Sequence, residues 1–166
     1  MKKAGRLLRH LMVPQWVVNR AFPRAVLDRI ESEIHASEAL HRGEIRFAVE
    51  AGLDLLPMLK GITSRARAVE IFSQLRVWDT EENSGVLIYV QLVDHDIEIV
   101  ADRGISATVR QEEWGAICLR MQQAFRACHY EQGAIDGIRS ITALLRRHFP
   151  PRAANPDELP NAPAVL

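Results

Sequence analysis

Asp79-Thr80-Glu81-Glu82-Asn83 puts an oxygen donor at every second position, the spacing with which a loop wraps a hard cation. The run is not a calcium loop of the helix–loop–helix kind. Its glycine comes one residue late, at Gly85, and the twelfth position is Val90 rather than a chelating glutamate. A looser oxygen site stays open, with Asp102 as its fourth member. In an antiparallel hairpin the start of one strand lies beside the end of the other. Gly85 starts the apolar run to Val93, and Asp102 ends the strand that returns through Ile97, Ile99 and Ala101. Asp79, Glu81, Asn83 and Asp102 therefore share one end of a sheet, as candidate ligands for calcium or manganese. Asp94-His95-Asp96 goes to the other end as a turn. A purely local reading stands beside this one: Asp79 caps a turn, Asn83-Ser84-Gly85 bends tightly, and Asp102 pairs with an arginine such as Arg103.

His41 and Glu44 form a second pair, at the entrance to an earlier strand. Together they would bind a metal or move a proton, with His41 as the acid or base; the alternative is a histidine in a polar surface turn. Cys118 falls in an apolar stripe, which argues against a nucleophile. Arg65, Arg67 and Arg76 flank one helix and would hold either a phosphate or carboxylates of their own chain. Glycine-rich phosphate loops, G-x-S-x-G, H-E-x-x-H and cysteine clusters are all missing from the sequence.

The elements that must carry these residues are legible from periodicity. A helix follows Phe22-Pro23, with Val26, Leu27, Ile30 and Ile34 on its apolar side. Glu44 to Glu50 alternates as a strand with Ile45, Phe47 and Val49 on one face; its half-polar other face suits a position near an edge. Thr63 or Ser64 caps a helix whose stripe is Ile62, Ala66, Val69, Phe72 and Leu75. Val86 to Val93 is apolar at almost every position, as a strand covered on both faces would be. Two long helices, near 110–129 and 131–148, close the domain. The helix between the first two strands implies that they run parallel through a right-handed crossover. The fold class is α/β: a three-layer α/β/α sandwich, a small mixed sheet flanked by helices, in the order α-β-α-β-β-α-α.

Three segments follow: a basic amphipathic arm over 1–21, the α/β domain over 22–149, and a tail over 150–166. The tail's five prolines in 17 residues predict disorder. Residues 1–27 carry six basic side chains and no acid, so the remaining 15 basic residues face 21 acidic ones, a net charge of −6. That balance does not suggest a nucleic-acid partner. The arm either packs on its own domain through Leu7, Leu8, Leu11 and Trp16, or makes peripheral contact with an anionic membrane through residues 1–20. Cys118 and Cys128, on one helix, lie about 15 Å apart along its axis, too far for a disulfide. They read as buried thiols of a cytoplasmic protein.

H-R-G-E-I-R-F-A-V-E at 41–50, then N-x-G-V-L-I-Y-V from Asn83 and D-R-G-I from Asp102, resemble the TPM-domain family. That family is named for thylakoid-lumen, photosystem-repair and nematode receptor-accessory proteins. The resemblance is closest to its small bacterial members and covers Phe22 to Pro150. It implies an α/β sandwich. Some relatives bind calcium or another divalent ion, and an acid phosphatase activity has been attributed to plant members. Bacterial members often accompany LemA-type membrane proteins, so the resemblance also implies a membrane-associated partner. The family's second strand more often ends in G-Y-G-L, and here that place is taken by Asp102-Arg103-Gly104-Ile105.

Overall fold

The computed structural model describes residues 16–52, 61–152 and 156–166. The elements are α1 (Trp16–Ala21), α2 (Arg24–Glu38), β1 (Glu44–Glu50), α3 (Ser64–Gln74), β2 (Gly85–Gln91), β3 (Asp96–Ala101), a single turn α4 (Arg103–Ser106), α5 (Gln111–Arg126), α6 (Tyr130–His148) and β4 (Ala164–Val165). The sheet order is β3-β2-β1-β4. β1 runs parallel to β2, from Glu44 opposite Gly85 to Glu50 opposite Gln91. β2 and β3 form the expected antiparallel hairpin, with Val86 opposite Ala101. His95, in the connecting turn, takes a left-handed backbone with φ 51°.

Strand alternation divides the core in two. Ile45, Phe47, Val49, Ile88, Val90 and Ile99 point to the face covered by α2, α5 and α6. Ala48, Leu87, Tyr89 and Val100 point to the other face, under α3. Helices on both faces of a mixed sheet make the three-layer α/β sandwich that the sequence implies. On α2, Ile30 and Ile34 are fully buried as expected. Phe22 holds the start of that helix to the core, its ring 5.7 Å from Phe47 and 5.8 Å from Phe125. On α3 the side chain of Thr63 caps the helix by accepting from the Ala66 N–H. Its buried stripe is rotated from the expected one, to Ser64, Ala68 and Ile71, and Val69 is 49% exposed. Small residues on that side let the helix sit close to the sheet.

β1 does not lie half exposed near an edge, because all seven of its residues are buried. Helices cover its apolar side, Arg67 of α3 covers Glu50, and the rest of the polar side lies under the proline-rich tail, which was expected to be disordered. Residues Ala164 and Val165 pair in parallel with Ala48 and Val49. The Leu166 N–H donates to the Val49 carbonyl at 3.0 Å, and Leu159 packs among the residues under α3. Prolines suit such a segment: it needs few ladder hydrogen bonds and follows the sheet in an extended path. Of the basic arm, residues 1–15, with Leu7, Leu8 and Leu11, lie outside the described residues; Trp16 is 57% exposed. Among the described residues no helix is long and apolar enough to cross a membrane.

Candidate cation-binding end of the sheet

The loop from Asp79 to Ser84 is held at the sheet end by two glycines. A Cβ on Gly85 would lie 1.9 Å from the Val77 carbonyl oxygen, and one on Gly104 would lie 2.6 Å from those of both Glu82 and Asn83. Only a residue without a side chain allows these approaches. The Gly104 N–H donates to the Asn83 carbonyl at 3.1 Å and the Asp102 N–H to that of Gly85 at 2.8 Å. Thr80 folds the loop back: its hydroxyl oxygen accepts from the Ser84 N–H at 2.9 Å. Asn83 takes φ 54°, a left-handed conformation that asparagine tolerates better than most residues.

The structure thus brings Asn83 and Asp102 to one place, as the hairpin argument requires. Asp102 caps α4, its Oδ1 accepting from the Arg103 N–H at 2.7 Å. Its Oδ2 is buried and has no hydrogen-bond partner. The Arg103 guanidinium donates to Asn83 Oδ1 at 2.8 Å. Asp79 and Glu81 are exposed, and the Glu81 N–H donates to Glu158 Oε2 at 2.8 Å. Glu82 pairs with both Arg42 and Arg152. The carboxylates of Asp79, Glu81 and Asp102 do not converge within 4.8 Å. Among the described residues, the three side chains whose donor atoms do so are His35, Glu38 and Asp157.

His41 and Glu44 lie at the same end, because Glu44 stands opposite Gly85 and its N–H donates to the Ser84 carbonyl. They are not surface residues. His41 is 0% exposed, Glu44 2% and Glu38, at the end of α2, 6%. Burial lowers His41 to a pKa of about 4, so its imidazole is neutral at pH 7. Burial raises Glu38 to about 8, helped by the charges of Glu44 and Asp157 and opposed by the Ile45 backbone and the Asn161 side chain. Burial raises Glu44 to about 7 against the Leu159 N–H, which donates to its Oε2 at 3.2 Å. Burial thus biases both carboxyls at this end of the sheet toward their protonated forms, and the tail covers Glu44 through Leu159.

The remaining candidates are accounted for by their surroundings. Arg67 donates to both oxygens of Glu50, at 3.2 and 2.7 Å, and the Tyr89 hydroxyl donates to the same carboxylate. Arg65 reaches Glu98 and the Ile99 carbonyl. These arginines serve carboxylates of their own chain. Cys118 is pushed up to about 11, chiefly by burial, as suits an unreactive thiol. Cys128 is exposed rather than buried, because α5 stops at Arg126 and Cys128 lies beyond it with φ 61°. Asp96, at the far end, accepts from the Gln122 amide.

Sequence reasoning missed Glu38, His35 and Asp157. His35 and Glu38, three apart on one helix face, were detectable as a pair. Asp157 was not, because nothing in its spacing places the tail against α2.

A small α/β sandwich, with a loop clamped by two glycines between the ends of β2 and β3, defines the class. The chain belongs to the TPM-domain family, whose model matches residues 18–144. Among solved structures it is similar to the NMR structure of the BA42 protein from the psychrophilic bacterium Bizionia argentinensis. The TM-score is 0.76 and the identity 30%, over 86% of this chain and 93% of that one. No match was found among curated proteins. Asp157 and Asn161 fall beyond the span of the family match.

Proposed function

We propose that the chain is a non-enzymatic or weakly enzymatic TPM domain that binds a divalent cation, calcium or manganese, or else a protein partner, where the 79–85 loop meets Asp102. The observation that carries this reading is the Asp102 Oδ2 atom, buried without a hydrogen-bond partner beside the carbonyl-rich turn of that loop. A buried carboxylate oxygen with no donor is costly unless something positive meets it. Glu81 and Asp79, exposed on the same loop, would close over the ion from the solvent side, and Asn83 would join by releasing Arg103. Calcium titration followed by amide NMR tests the reading. Residues 79–85 and Asp102 should shift together, and unmoved signals at millimolar calcium would sink the proposal.

The second reading is a metal-dependent phosphatase, favoured by the guanidinium groups of Arg42, Arg103 and Arg152 around the same loop. Asp79, Glu81 and Asp102 would hold the ion, which would polarise a phosphoryl oxygen and activate water. His41, buried and neutral, is badly placed to be the acid or base. Phosphatase assays of the wild type against Asp102→Ala separate the two readings, since equal rates would point to contamination. A docking role for residues 1–20, on an anionic membrane or a LemA-type protein, draws support from exposed Trp16 beside Arg20. Deleting those residues should abolish sedimentation with anionic vesicles. The two free cysteines suit a reducing compartment, and a cytoplasmic location is part of this proposal.

A further inference from the structure

We infer that His35, Glu38 and Asp157 form a second metal site, for a first-row divalent transition ion such as Zn2+, that latches the C-terminal segment onto the sheet. It uses none of the residues proposed above for calcium. One donor atom from each of the three side chains lies within 4.8 Å of the others. Bound zinc needs donors roughly 2.0–2.2 Å from the ion, so a small contraction of side chains suffices. One imidazole and two carboxylates is a donor set for zinc, manganese or iron rather than for calcium, which takes oxygen alone.

The construction supports a site rather than a chance cluster. His35 and Glu38 project from one face of the last turn of α2, fixed by the packing of Ile30 and Ile34. Glu38 forms a buried floor, and His35 and Asp157 are exposed at the mouth, so an ion has an open approach. Asn161 braces the mouth: its amide nitrogen lies 3.1 Å from Asp157 Oδ2 and 3.3 Å from His35 Nδ1. Such outer contacts orient ligands in metal sites generally. The Asn161 side chain also hydrogen-bonds the Glu38 carboxyl, so one amide contacts all three of the proposed ligands.

The consequence follows from where Asp157 sits. The segment behind it is stitched to β1 by the Leu159 N–H on Glu44, by Arg46 on the Ala162 carbonyl at 3.1 Å, and by β4. An ion joining Asp157 to α2 would fix the start of that segment, and the lid over β1 would open less often.

Zinc chloride titrated into the full chain tests this, read by calorimetry and amide NMR. The expected result is one-to-one binding whose largest shifts fall on residues 35–38 and 156–161, with the Glu81 amide, which donates to Glu158, the one signal of the 79–85 loop that moves with them. His35→Ala and Asp157→Asn, both at exposed positions, should each weaken it at least tenfold. Zinc should also slow carboxypeptidase digestion of the C-terminus in the wild type but not in Asp157→Asn. Affinity unchanged in both variants, shifts confined to other histidines, or no zinc binding below millimolar concentration would overturn the inference. Calcium shifts at 79–85 are read separately, so either site can fail without the other.

Discussion

Raising the pH from 5 to 8 should destabilise this protein, and the buried groups at the sheet end set the size of the effect. Glu38 has a folded pKa of about 8 against an ordinary 4.5. Between those values the unfolded chain has lost a proton that the folded chain keeps, so stability falls as pH rises. Glu44, at about 7 against 4.5, acts the same way over a narrower window. His41 opposes them: at about 4 against 6.5, it refuses in the folded state a proton that the unfolded state accepts, so its penalty grows as pH falls from 6.5 to 4. Each group tilts stability by at most about 1.4 kcal/mol per pH unit. Between pH 5 and 6.5 two falling terms meet one rising term, leaving a net loss near 1.4 kcal/mol per unit. From pH 6.5 to 7 His41 drops out and the loss steepens towards about 2.8 kcal/mol per unit, an upper limit because the neighbouring carboxyls titrate as a pair. Glu98, also raised by burial, adds in the same direction. Urea unfolding at half-unit pH steps, with a constant m-value, measures the profile. Glu38→Gln keeps the shape and removes one falling term, so its profile should be close to level between pH 5 and 6.5. A wild type whose stability is flat or rises from pH 5.5 to 7.5, or a variant with an unchanged slope, would refute the desolvation argument.

Three further outcomes follow from the same geometry. Gly104→Ala forces a Cβ to within 2.6 Å of two carbonyl oxygens. It should cost about 1–3 kcal/mol in urea unfolding, as overpacking does, and shift the amides of Glu82 and Asn83. Arg103→Gln frees Asn83 Oδ1 and removes a positive charge from the proposed calcium site, so calcium should bind several-fold more tightly by calorimetry. Removing residues 156–166 takes away the Leu159 contact, the β4 pairing and the charges of Asp157 and Glu158. Stability at pH 7 should drop, and the Glu44 contribution to the pH slope should shrink; an unchanged slope would mean that the tail does not bury Glu44.

Elements whose signal is local were legible. The hairpin could be drawn from an apolar run, a polar turn and an alternating return, and the parallel β1–β2 pairing from the helix between them. Legibility failed where burial depends on a distant segment. Glu44, Arg46 and Glu50 alternate with apolar residues in the way a solvent-facing strand does; the tail over Glu44 and Arg46, and Arg67 of α3 on Glu50, turn that face inward. The same blindness made His41 a surface residue in the sequence reading and hid Asp157. At the sheet end, chain order placed Asn83 beside Asp102 correctly. It could not show that the Arg103 side chain would reach back to Asn83, or that Glu82 would be claimed by two arginines. Gly85 and Gly104 were visible as residues, but the carbonyls that demand them belong to the folded loop.

Binding of a divalent cation between the 79–85 loop and Asp102 is tested by soaking crystals of the full chain in manganese and locating the ion by its anomalous scattering. The expected result is a peak within about 2.5 Å of Asp102 Oδ2, with the Arg103 guanidinium withdrawn from Asn83. A fully occupied soak with no peak there, and the Arg103–Asn83 contact intact, would contradict it.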